Sequence, residues 1–142
     1  MKPQRMPKNA GYKHLREQAA MPGRGGIVRI WAALWNSISG LREGLSTEAA
    51  IKQEVALALI AVPVSLLIAR DLWTWVAMMA SLLFLLAVEF LNTAIERLCN
   101  HVRPELHVDI KVTKDLGSAA VLFAILLTAL IWIAALIARF WV

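Results

Sequence analysis

The sequence predicts an all-α membrane protein with one N-terminal amphipathic surface helix and three transmembrane helices. Three observations lead there. First, 59% of the 142 residues are hydrophobic and the mean hydropathy is +0.62, as in membrane chains rather than soluble ones. Second, the apolar residues gather in three long runs, around 55–69, 72–88 and 116–138. Third, the basic residues are sorted. Of 15 Lys and Arg, nine lie at or before Lys52, and Arg97, Arg103, Lys111 and Lys114 lie between the second and third runs; only Arg70 and Arg139 fall elsewhere. Basic residues collect on the cytoplasmic side of membrane helices. The N-terminus and the 97–114 segment are therefore expected inside, and the 70–71 turn and the C-terminus outside.

Residues 1–25 are polar and basic, with Pro3, Pro7, Pro22 and the start of the Gly23-Arg24-Gly25-Gly26 cluster. They read as a disordered cytoplasmic tail. The segment has no apolar core of a signal peptide. Its glycines are not a phosphate loop, since no Lys-Ser or Lys-Thr follows and no strand precedes. From about 27 to 46, Ile27, Ile30, Trp31, Leu34, Ile38, Leu41 and Leu45 recur at steps of three and four. That spacing predicts an amphipathic helix lying on the membrane surface.

The first span is expected over about 50–69, close to the ~20 residues a membrane helix needs. Pro63 is tolerable inside it. Arg70-Asp71 makes a short turn. The second span is expected over about 72–99, with Trp73 and Trp75 at one interface. A polar connection containing Pro104 leads to the third span, about 115–139, closed by Arg139 and Trp141.

The second span carries the most informative feature. At about 100° per residue, Glu89, Asn92, Glu96 and Asn100 share a sector of roughly 80°. A lipid-facing helix does not carry such a stripe; an active site or a polar helix–helix interface does. Glu89 lies about 26 Å from Leu72 along the helix, near the cytoplasmic interface. Glu48 and Glu54 at the first span and Lys114, Asp115 and Ser118 at the third fall on the same membrane face. Such an inventory suits phosphoryl transfer. Mg²⁺ is commonly held by one or two carboxylates with substrate phosphates, and the reaction asks mainly for positioning and charge neutralisation.

The stretch Glu89-Phe-Leu-Asn92-Thr-Ala-Ile-Glu96 resembles the signature of the prokaryotic diacylglycerol kinase family. Glu48-Ala-Ala-Ile-Lys-Gln-Glu54, Glu105-Leu-His107 and Lys114-Asp115-Leu-Gly-Ser-Ala-Ala120 resemble other family segments, in order and without a gap. The resemblance covers about 26–142. It implies a homotrimeric lipid kinase of the bacterial inner membrane, with active sites shared between neighbouring chains. ATP and Mg²⁺ would be required, and diacylglycerol would be phosphorylated to phosphatidic acid. Undecaprenol is the alternative substrate.

The resemblance also implies roles for individual residues. Glu89 would be the general base, helped by Asn92. Glu48 and Glu96 would hold the metal and thereby the nucleotide. Arg29, Asn36, Glu105, His107, Lys114 and Asp115 would contact the nucleotide, and Arg42, Glu54, Glu89 and Ser118 the lipid. A base deeper in the apolar run and a metal ligand nearer water fit that division between Glu89 and Glu96. Two positions depart from the family: Asn100 stands where Asp is usual, and Asn36 where an aromatic residue is common.

Other functions fit less well. Basic residues do not interleave with aromatics as in nucleic-acid binders, so no nucleic-acid partner is expected. Cys99 is alone, which excludes a disulfide framework or CxxC centre. A proton-coupled transporter calls for an ionisable group at mid-bilayer, and the spans offer none. A non-enzymatic oligomer, whose polar stripe only joins helices, remains the second reading.

Overall fold

The computed structural model describes residues 26–102 and 107–141. The expected tail over 1–25 and the candidate residue Glu105 lie outside them. Among the described residues there are four helices and no strands: α1 (Gly26–Thr47), α2 (Ala49–Ile68), α3 (Leu72–Val102) and α4 (Val108–Phe140). The all-α class with three membrane-capable helices is therefore as the sequence predicts, α2, α3 and α4 being long and apolar enough to cross a bilayer. The helix bearing the third apolar run begins at Val108, so much of the polar connection before Lys114 is already helical. His107 ends that connection. Its imidazole Nδ1 accepts from the Asp109 amide at 3.3 Å, satisfying one of the amides that a helix start leaves free.

The chain divides into two compact units with the boundary after Leu41, within α1. In the first unit Ile27, Ile30, Trp31, Leu34, Trp35 and Leu41 are all exposed. The second unit, from Arg42, holds the three long helices. Here α3 packs chiefly on α4 and next on α2.

A single extended residue, Glu48 (φ −102°, ψ 121°), separates α1 from α2. Lys52 Nζ donates to the Ser46 carbonyl at 2.9 Å, satisfying one of the carbonyls at the end of α1. Gly44 permits the close approach at this junction. A Cβ there would lie 2.5 Å from Phe90 Cε1 on α3 and 3.0 Å from Ile51 Cδ1 on α2. At the opposite end, Asp71 caps α3, accepting from the amides of Trp73 (2.8 Å) and Thr74 (3.0 Å) and from the Thr74 hydroxyl (2.6 Å). Ile68, Met78 and Ala135 form the core there, and Arg70 donates to the Arg139 carbonyl at 3.2 Å.

Length explains why the polar groups sit where they do. The 31 residues of α3 and the 33 of α4 extend about 46 and 50 Å at ~1.5 Å per residue. A hydrocarbon core is about 30 Å thick. Both helices are therefore longer than that layer is thick, and the polar C-terminal turns of α3 lie beside the polar N-terminal turns of α4. Lys114 Nζ on α4 donates to Asn100 Oδ1 on α3 at 2.7 Å.

Candidate active site

The polar stripe of α3 lies at the end of the second unit where α2 begins. Glu89 and Asn92 are buried, at 7% and 9% exposure, in a helix whose other buried residues are Met78, Ser81 and Cys99. Burying a carboxylate and a carboxamide is costly unless each has a partner. Asn92 Nδ2 donates to Glu96 Oε1 one turn on, at 3.4 Å. Asn92 Oδ1 is buried and receives no hydrogen bond. It sits against Gly117 of α4, where a Cβ would overlap it. Gly117 is thus a cradle for this oxygen, and the oxygen is an acceptor awaiting a donor.

Acidic groups collect around this pair. The charges that bear on Glu89 are those of Glu96 and Glu48, and Glu54 on α2 in turn feels the charge of Glu89. Glu54 is half-buried, and its Oε2 is a second buried acceptor without a donor. The structure therefore brings together Glu48, Glu54, Glu89, Asn92 and Glu96 from α3 and the start of α2.

Cations border the acids. Arg97, the residue after Glu96, donates through Nε (3.0 Å) and Nη2 (2.7 Å) to Glu48 Oε1. Its Nη1 reaches Glu43 Oε1 at 3.2 Å, and Nη2 also donates to Thr47 Oγ1. Lys114 sits on Asn100, so the amide at that position keeps the hydrogen bond without supplying a counter-charge. Lys111 Nζ pairs with Asp115 at 2.6 Å, one turn apart on α4.

The remaining candidates stand apart. Ser118 is exposed on α4, next to Gly117, and Arg42 is exposed where the second unit begins. His107 caps α4. Arg29 and Asn36 are exposed in the first unit. Arg97, Glu43, Thr47, Gly44 and Gly117 are site-shaping residues that the motif reading did not single out. For Arg97 a signal was present: it directly follows Glu96 and is charged near the end of an apolar helix. Gly117 stood only within a run of small residues.

Among the described residues, no three His, Cys, Asp or Glu side chains form a cage for a metal ion. The donors at hand are still of the right kind, because Mg²⁺ prefers carboxylate oxygen and takes few protein ligands when phosphates complete its shell. Glu48 and Glu96 would supply such oxygens, beside an excess of negative charge that a cation would offset.

Comparison with known proteins identifies the family. The family model described as Prokaryotic diacylglycerol kinase matches residues 35–136. Diacylglycerol kinase of Escherichia coli (strain K12) is 37% identical over 107 residues, which is 75% of this chain and 88% of that protein. Diacylglycerol kinase of Pseudomonas aeruginosa is 36% identical over 110 residues (78% and 89%), and that of Helicobacter pylori (strain 26695) 32% over 111 (78% and 87%). The 35–136 match contains the whole acidic cluster, all of α2 and α3, and α4 as far as Leu136. With three membrane-capable helices, a buried carboxylate–carboxamide pair and this likeness, the chain belongs to the prokaryotic diacylglycerol kinase family and is a membrane-bound kinase of the diacylglycerol kinase type.

Proposed function

We propose that this protein transfers the γ-phosphoryl group of MgATP to the hydroxyl of diacylglycerol, giving phosphatidic acid, at the cytoplasmic face of the bacterial inner membrane. The observation that carries the reading is the buried Glu89–Asn92 pair, with its unmet acceptor at Asn92 Oδ1. The pair offers an acceptor for a donor and a base to receive its proton, and a primary hydroxyl at the membrane interface meets both needs.

In this mechanism the lipid hydroxyl oxygen attacks the γ-phosphorus, and its proton passes to the Glu89 carboxylate. The bond between the γ-phosphorus and the β–γ bridging oxygen breaks, and ADP leaves. Asn92 orients the reacting hydroxyl and Glu89. Glu48 and Glu96 would hold Mg²⁺, which neutralises phosphate charge when bound. Lys114, with Asp115, His107, Arg29, Asn36 and Glu105, binds the nucleotide. Arg42, Glu54 and Ser118 line the lipid's approach.

In this reading the protein works as a homotrimer with shared active sites, supported by the openness of one chain. Within it, only 17%, 17% and 11% of the most apolar windows of α2, α3 and α4 are buried. Neighbouring copies and lipid would cover the rest, and α1 would lie in the membrane surface beside a basic cytoplasmic tail. The sorting of basic residues supports an N-terminus inside and a C-terminus outside.

The test is phosphorylation from radiolabelled ATP in mixed micelles, with diacylglycerol and undecaprenol side by side. Labelled phosphatidic acid is expected. Label in undecaprenol alone would overturn the substrate, and label in neither would overturn the kinase reading. Glu89→Gln should assemble but lose turnover; near-normal turnover would remove Glu89 as base.

A further inference from the structure

Glu48 is placed unusually for a working carboxylate. It is the one extended residue between α1 and α2, at the N-cap of α2, yet its side chain makes no capping hydrogen bond. It is 34% exposed, and the only hydrogen bond it receives from its own neighbourhood among the described residues is a long one, 3.4 Å, from the Thr47 hydroxyl to Oε1. What holds it is the guanidinium of Arg97, 49 residues away in sequence.

The geometry of that grip is informative. An arginine fork commonly spreads over both oxygens of a carboxylate. Here Nε and Nη2 converge on one oxygen, Oε1, at 3.0 and 2.7 Å. Glu48 Oε2 accepts no hydrogen bond from the described residues. The third nitrogen, Nη1, goes to Glu43 Oε1 at 3.2 Å. One carboxylate is oriented, and the second offsets the arginine's charge. Because Arg97 directly follows Glu96 on α3, the same side chain ties Glu48 to the segment bearing the other candidate ligand.

We propose that Arg97 is a positioning residue for phosphoryl transfer, fixing the Glu48 carboxylate by one oxygen so that the other is presented to the nucleotide's metal ion. Glu43 is its counter-charge, sparing that ion the repulsion of an uncompensated guanidinium. The inference rests on the reading of Glu48 as a metal ligand. Partners that orient a ligand are commonly worth about 10–100-fold in metal affinity.

The test is binding of Mn²⁺ to the full chain in detergent micelles with a non-hydrolysable ATP analogue, followed by electron paramagnetic resonance beside kcat and KM for MgATP. Arg97→Ala is expected to weaken Mn²⁺ binding about tenfold and to raise KM for MgATP. Arg97→Lys should fall between, since an ammonium keeps the charge but not the two-nitrogen grip. Glu43→Gln should also weaken binding, although it removes no group from Glu48. Parent-like Mn²⁺ affinity in Arg97→Ala, with affinity lost in Glu48→Gln, overturns the proposal and leaves Glu48 a ligand. Parent-like affinity in Glu48→Gln overturns the reading of Glu48 itself and Arg97's role with it. Should Arg97→Ala fail to fold, parent-like affinity in both Arg97→Lys and Glu43→Gln overturns the proposal.

Discussion

Gly117→Ala separates the demands of the site from those of the fold. A methyl at Gly117 overlaps Asn92 Oδ1. That oxygen is the tip of a side chain and can swing aside, but Asn92 is buried and its Nδ2 is engaged with Glu96. Moving the amide forfeits a charge-assisted hydrogen bond, worth about 1.5–3 kcal/mol at most and less at 3.4 Å. Replacing a helical glycine by alanine returns about 1 kcal/mol. The two nearly cancel, so thermal stability should change little. Catalysis has no such compensation. A displacement on the order of 1 Å at a positioning group costs about 10²-fold in rate, equivalent to about 2.7 kcal/mol in the barrier. The expected result is a Tm near that of the parent and a kcat lower by about 10- to 100-fold. The assay is turnover of diacylglycerol in mixed micelles beside a thermal melt in detergent. Gly40→Ala, where an added Cβ meets nothing within 4 Å, is the control and should leave turnover intact. Parent-like kcat in a folded Gly117→Ala protein would refute the argument that Asn92 must sit where Gly117 allows it.

Two further predictions concern the ends of the helices. Gly44→Ala puts a Cβ 2.5 Å from Phe90 Cε1. Overpacking of about 1–3 kcal/mol, less the ~1 kcal/mol of helix propensity, should lower Tm, and Phe90→Leu should restore part of it; a raised Tm in the single variant would contradict the contact. At the α2–α3 turn, the Thr74 hydroxyl and the amides of Thr74 and Trp73 hold the Asp71 carboxyl below its ordinary value. A lowered folded-state pKa stabilises above the unfolded-state pKa, about 3.9, and is lost as pH falls through the folded one. The stability gap between the parent and Asp71→Asn, followed by denaturation against pH, should be present at neutral pH and close in acid. A gap independent of pH would show that the charge of Asp71 contributes nothing.

The site also shows what an amide does at position 100, where the resemblance leads one to expect a carboxylate. Lys114 keeps a 2.7 Å hydrogen bond to Asn100, so its direction is maintained. Its positive charge is left without a formal partner there. A lysine so held is aimed and still cationic, which suits a phosphate contact.

Much of this was legible from the sequence because membrane helices obey simple arithmetic. A rise of ~1.5 Å per residue against a core of about 30 Å sets how long an apolar run must be, and the three runs meet it. The same periodicity puts Glu89, Asn92, Glu96 and Asn100 on one face before any coordinates are known. Glu89 and Asn92 are indeed buried, while Glu96 is half-exposed and Asn100 exposed. Periodicity says nothing, however, about which residue of one helix faces which residue of another. That Gly117 lies beneath Asn92, that Gly44 admits Phe90, and that Arg97 holds Glu48 depend on the register between helices, fixed by side-chain packing across 25 to 49 residues of chain. The sequence by itself determined the spans, their order and the acidic face; only the tertiary structure decided which groups hold that face in position, because contacts between helices are made by shape and not by spacing.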